Sequence, residues 1–430
     1  MSRRSFTFAL AALLILALAI RVAAALGYNA IEPQTDALDY DRHAVSIATG
    51  NGYPEALGVT GGPGPTAFRP PIYPFVLAGV YEISGTADER QRWQYGRLAQ
   101  ALLGVAIVAL ISLVVLQLWG QREALLAAAM AATYPPLILA GTSLLSEPLF
   151  TALLLGGIAG LLRWRLGDGR ARWLALAGAC AGLATLTRGN GLVVVAILAL
   201  AAWTLKPRLS LRSLAAPAIV VAAAALVVAP WTVRNAVELD AFVPVTTQSG
   251  LGLAGVFNDT ATENDSAWQL PSAVPEYRPL FRGEGPGEVE VSRRLTDLAL
   301  DYAIEHPESI VSAAGWNTLR FLGLHHPIEH ERQNAFYLGQ PQGLAEFSVY
   351  AFWLLALGAI AGSLTPAARR LPAFVWAIPP LFLVTVLFVG GNARYRMPVE
   401  PIFILLAVAA ASWGWQRLAR SGERTRSSGA

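Results

Sequence analysis

The chain has 430 residues, of which 54% are hydrophobic and 14% charged, with a net charge of +3 and a mean hydropathy of +0.47. A soluble domain carries roughly a quarter charged residues, so this composition excludes an ordinary globular protein. The excess of base does not point to nucleic acid either, because the arginines gather at the ends of apolar segments, where they report membrane topology.

Residues 1–26 place Arg3 and Arg4 before an apolar run longer than a secretory core, which predicts a retained first span. Ten apolar segments follow the length rule for spanning helices, some of them short or broken by glycine and proline: 6–26, 97–118, 124–141, 147–163, 173–187, 190–205, 214–231, 347–364, 372–390 and 398–415. The basic stretches "RWRLGDGRARW" (163–173), "KPRLSLR" (206–212), "ARR" (368–370) and "QRLARSGERTR" (416–426) fall on one side with Arg3 and Arg4. That side is predicted to be cytoplasmic. Two long loops, 27–96 and 232–346, then lie outside. In the first, the apolar stretch 72–84 is too short to span and is predicted to lie in the interface as a juxtamembrane helix. In the second, 287–323 reads as helical with a break at "EHPES", where Pro307 can open a new helix. No repeat is evident, and the lone Cys180 excludes an internal disulfide. The expectation is an all-α polytopic membrane protein, one domain over 1–430.

The stretch "IEPQTDALDYDRHAVSIATGNGY" sets Glu32, Asp36, Asp39 and Asp41 at the mouth of the first span. Five arginines adjoin the external side: Arg69, Arg188, Arg234, Arg394 and Arg396. Guanidinium groups match phosphate through paired, charge-assisted hydrogen bonds, so the layout suggests an anionic, lipid-attached ligand at the outer leaflet. In "RYRMP", Arg394 and Arg396 project to one side if the segment is extended and diverge if it is helical. Tyr395 between them is a candidate sugar or isoprenoid contact. Glu147 in "LLSEPLF" is either a helix-start residue behind a Ser146 cap or a site residue. The run "HHPIEHERQ" gathers His325, His326, Glu329 and His330, but Pro327 interrupts the spacing and no partner ligands can be named, so a metal is not supported.

Taken in order, "DALDY", "ATGNGY", "FRPPIYPFVLAG", "LLSEPLF", "GLATLTRGNGL", "PWTVRN", "FVPVTTQSGLGL", "EHPES" and "RYRMPVEPIF" resemble the GT-C glycosyltransferases. The likeness is to the family 39-like bacterial branch related to protein O-mannosyltransferases and the lipid A aminoarabinose transferase. It implies a GT-C-like bundle of about ten spans in the bacterial cytoplasmic membrane, with the site facing outward. It further implies transfer of a sugar from a polyprenyl-phosphate carrier to an acceptor glycan, lipid or protein, with inversion; the sequence itself requires no cofactor, and relatives differ in whether they use a divalent metal. Asp36 matches the family's catalytic base, and Tyr40 lies four residues on as a substrate contact. Ala37 stands where relatives often carry a second acid, which leaves Asp39, Asp41 or Glu147 for that role. The alternative function is a transporter or flippase of a lipid-linked or anionic solute. Against it, no inverted repeat is seen and the polar residues cluster at one face instead of the midplane.

Overall fold

The computed structural model describes residues 1–28, 31–56, 60, 62, 64–85, 88–204, 210–281 and 286–427, with side chains to 419. The loop expected at 206–212 therefore lies largely outside the described residues. The chain is all-helical, and among the described residues there is no β-strand beyond an isolated Glu55–Pro65 bridge.

In chain order, α1 (Arg3–Gly27) is followed by two short helices in the first long loop, α2 (Thr35–Ala48) and α3 (Ile72–Ser84). Then come α4 (Glu89–Leu118), α5 (Gln121–Thr133), α6 (Pro135–Leu139), α7 (Glu147–Leu166), α8 (Ala171–Thr185), α9 (Leu192–Ala202) and α10 (Leu211–Glu238). The second long loop folds into α11 (Gln248–Ala254), α12 (Asp259–Thr262), α13 (Glu288–Glu305), α14 (Pro307–Phe321) and α15 (Pro327–Leu338). The chain closes with α16 (Gln342–Ser363), α17 (Ala373–Val386) and α18 (Glu400–Ser427).

All ten predicted spans are helical, but they are not alike. Among the described residues, six helices are long and apolar enough to cross a membrane: α1, α4, α7, α10, α16 and the Glu400–Ala419 part of α18. A seventh crossing would combine α5 with Pro135–Thr142, bent by 58°. The segments predicted at 173–187, 190–205 and 372–390 form helices of 15, 11 and 14 residues. The short ones pack inside the bundle, with α8 held between α7 and α10 and α9 against α8, α10 and α17. Close packing follows from small residues. A Cβ on Gly178 would fall 2.3 Å from the Val220 carbonyl oxygen, so only glycine lets α8 approach α10 there.

The bend after α5 has a local cause. Pro135 lacks an N–H and pushes Tyr134 into an extended conformation, ending the helix. Its last carbonyls would be orphaned in an apolar interior. Arg21 from α1 answers this by donating to the Ala132 and Ala131 carbonyls at 3.0 and 3.1 Å. Two further breaks, at 186–191 and 387–399, bring Arg188 and Arg394 together at one end of the bundle. The candidate site is built there.

Candidate active site

α2 presents Asp36, Asp39, Tyr40 and His43 at helical spacing, so one face carries them all. Its start is constrained: Thr35, a β-branched residue, sits at φ +42°, where such residues are rare. The Thr35 hydroxyl donates to the Tyr337 carbonyl at 2.6 Å, tying α2 to α15.

Arg69 faces this acidic helix from the segment before α3. Its Nε donates to Asp39 at 2.5 Å and its Nη2 to Asp36 at 2.7 Å, with the guanidinium carbon 4.9 Å from the Tyr40 ring centre. The segment is clamped from the second loop by Glu288, whose carboxylate accepts from the Thr66 hydroxyl, the Ala67 N–H and the Thr247 hydroxyl at 2.5, 2.9 and 2.7 Å.

The other side of Asp36 belongs to Arg394, whose Nη2 donates to Asp36 Oδ2 at 2.6 Å and to the Tyr395 hydroxyl at 3.1 Å. A 3-10 turn over Ala393–Arg396 carries it. Asn392 holds that turn by capping the Arg394 N–H at 3.0 Å and pairing side chain to side chain with Asn334 of α15. Arg394 Nε lies 3.6 Å from Glu147, and neither Nε nor Nη1 has a hydrogen-bond partner.

Arg188 completes the group from the break between α8 and α9. It stands 2.8 Å from Glu147 and 3.1 Å from the Ser146 hydroxyl, and 5.3 Å from the Tyr395 ring centre. Ser146 also accepts from the Tyr40 hydroxyl at 3.0 Å. Its side chain makes no capping bond to α7, so the expected N-cap role is replaced by a place in this network.

Three cations (Arg69, Arg188, Arg394) and three carboxylates (Asp36, Asp39, Glu147) are thus interleaved, with Asp36 the most accessible of the carboxylates at 26% side-chain exposure. Burial works against the Asp36 charge, but Arg69 and Arg394 outweigh it and hold the carboxyl well below the usual carboxylate range. Asp39 is likewise lowered: burial opposes its charge, and Arg69 and His43 more than offset that.

Two of the five arginines lie elsewhere. The 3-10 turn makes Arg394 and Arg396 diverge. Arg396 is buried, donating to Glu400 and to the Phe321 carbonyl, both at 2.7 Å, and lying 3.3 Å from the Phe352 ring centre. Arg234 donates to the Thr66 carbonyl at 2.7 Å and stacks on Trp231 and Tyr53. Asp41 turns to the opposite face of α2, where Arg92 binds it with both Nε and Nη2 and Tyr81 donates at 2.6 Å. Sequence reading passed over Glu331 on α15, one helical turn from Asn334. Burial lifts its carboxyl to about 7, with Glu400 adding to the lift and Arg396 opposing it. Nothing in its sequence context marks it.

The donor set does not suit a divalent metal, because each cleft carboxylate is already engaged by a guanidinium. His325 lies with its ring centre 4.6 Å from that of His326 and 5.4 Å from that of His330. Among the described residues, no group of three metal-ligating side chains is placed to hold an ion.

The fold is similar to that of known membrane glycosyltransferases. Residues 68–233 match the family model described as dolichyl-phosphate-mannose-protein mannosyltransferase. The chain is similar in fold to an Archaeoglobus fulgidus oligosaccharyltransferase tethered to an acceptor peptide, with a TM-score of 0.58 and 15% identity over 95% of this chain and 50% of that one. The same archaeal protein, AglB, in complex with an inhibitory peptide and a dolichol-phosphate gives a TM-score of 0.55 and 14% identity, over 97% and 52%. ArnT from Cupriavidus metallidurans, bound to undecaprenyl phosphate, gives 0.45 and 17% identity, over 95% and 78%. The chain spans about half the length of the archaeal structures. No curated protein sequence matches it.

Proposed function

We propose that the protein transfers a sugar from a polyprenyl-phosphate carrier to an acceptor hydroxyl at the outer face of the cytoplasmic membrane, inverting the sugar carbon. The observation that carries this reading is Asp36 bridged between Arg69 and Arg394 at 2.7 and 2.6 Å, beside Arg188, at one end of an apolar bundle. The archaeal protein of the same fold holds a dolichol-phosphate and a peptide, which fits a lipid phosphate and an acceptor meeting in one cleft.

The unused Nε and Nη1 of Arg394, with Arg188 beside them, can receive the donor phosphate. A carboxylate tied to two guanidiniums is a weak base. As Arg394 turns to the phosphate, Asp36 Oδ2 is released while Arg69 still orients Oδ1. Asp36 then accepts the acceptor's proton as the hydroxyl oxygen bonds to the sugar carbon. The bond from that carbon to the phosphate oxygen breaks, and the electron pair leaves with the phosphate. Arg394 and Arg188 stabilise the charge that develops there. Tyr40 and Tyr395 flank the cleft as substrate contacts.

Incubating purified protein in nanodiscs with a panel of polyprenyl-phosphate sugars and a cell-envelope extract as acceptor should release polyprenyl phosphate from at least one of them. Failure across the panel, with stoichiometric binding and carriage of a lipid-linked solute instead, would favour transport. Orientation rests on the basic loops. A cysteine placed at position 168 should resist an impermeant label added to intact cells, and strong labelling would invert the topology.

A further inference from the structure

Glu147 is buried at the start of α7, with 3% of its side chain exposed, and faces two cations. Its Oε1 lies 2.8 Å from Arg188 and 3.6 Å from Arg394, yet neither oxygen has an aligned hydrogen bond. Two other buried carboxylates are held differently. Glu288 accepts from three donors, and Asp41 is gripped by two nitrogens of Arg92 and by Tyr81. Glu147 is therefore close enough to balance charge but is not fastened by directional bonds. A buried pair of guanidiniums needs an anion beside it whenever no ligand is bound.

We propose that Glu147 is an internal counter-anion: the donor phosphate displaces it from Arg188 and Arg394, and it recaptures them when the polyprenyl phosphate leaves. This rests on the reading that those two arginines bind the phosphate. It reverses the usual sign for a residue at a binding site. Removing the carboxylate leaves the arginines free for the carrier, so binding tightens and product release slows.

The test is titration of the full protein in nanodiscs with undecaprenyl phosphate, together with steady-state transfer. Glu147→Gln should lower Kd by about tenfold, the scale of a close but unaligned charge contact, and should lower kcat and KM together. Glu147→Asp keeps the charge but is one methylene shorter, so it should tighten binding by less, and it carries the test if the glutamine variant does not fold. Unchanged or weaker binding in the folded variants would overturn the proposal and make Glu147 a residue that merely holds the arginines in place. Arg188→Lys and Arg394→Lys separate the two levels. If both weaken binding while Glu147→Gln does not tighten it, only the counter-anion role fails. If neither weakens binding, the phosphate site itself is misassigned and the proposal fails with it.

Discussion

Arg394 and Arg396 are two residues apart and occupy opposite kinds of site. Arg396 lies in a closed pocket, its Nε on Glu400, its Nη1 on a backbone carbonyl and its face on Phe352. Arg394 lies at the cleft, shared between Asp36 and Tyr395, with Nε and Nη1 unused. The difference teaches that charge alone does not make an anion site in an apolar protein. An arginine whose donors are used internally is structural, and one with buried donors left without a partner can bind an anion that reaches them.

Three substitutions probe that contrast. Arg396→Met should have the largest effect on stability, about 3–5 kcal/mol, because it leaves Glu400 buried without its partner; Glu400 is 1% exposed. Denaturation in detergent would measure it, and any folded fraction should bind undecaprenyl phosphate like the parent. A stable variant with weakened carrier binding would move the phosphate to Arg396. Arg394→Lys should do the reverse. It keeps the charge but removes the planar fork, so carrier affinity should fall tenfold or more, on the order of 1.5–3 kcal/mol, with little change in unfolding. The third and smallest effect concerns Glu331, which lies near the Arg396 pocket. Its folded value of about 7 stands above the ordinary 4.5, so between those values the folded state holds more protons than the unfolded one. Stability therefore declines as pH rises through that window and stays lower above it. Glu331→Gln should be more stable than the parent at pH 8 by about 1–3 kcal/mol and nearly equal to it at pH 5. Equal melting at both pH values would mean that Glu331 is hydrated.

The apolar segments were legible because hydrophobic length is a one-dimensional property. All ten became helices, though only six of them are single helices of spanning length, because packing inside a bundle accepts shorter pieces. The meeting of Asp36 with Arg69 and Arg394 was legible only as a set of candidates. Sequence placed acid and base at the same boundary, and the partners of each arginine were set by turns it could not resolve. The 3-10 turn at Ala393–Arg396 separates Arg394 from Arg396. The contacts of Arg234 with Thr66, Trp231 and Tyr53 join residues far apart in the chain. Ser146 read as a helix cap and proved to accept from both Tyr40 and Arg188. Glu331 carried no signal at all, since its character comes from partial desolvation beside Arg396 and Glu400, both distant in sequence.

We infer that Asp36 removes the acceptor's proton in a phosphate-leaving sugar transfer. The most direct test is single-turnover transfer by Asp36→Asn, with a donor that the parent protein consumes. The variant keeps the size of the side chain and loses the base, so transfer should fall by about 10²–10⁴-fold, while donor binding holds or tightens, because Arg394 is no longer shared with the Asp36 carboxylate. Transfer at the parent rate would contradict the account and leave the base to another residue of the cleft, with Asp39 the nearest carboxylate on the same helix face.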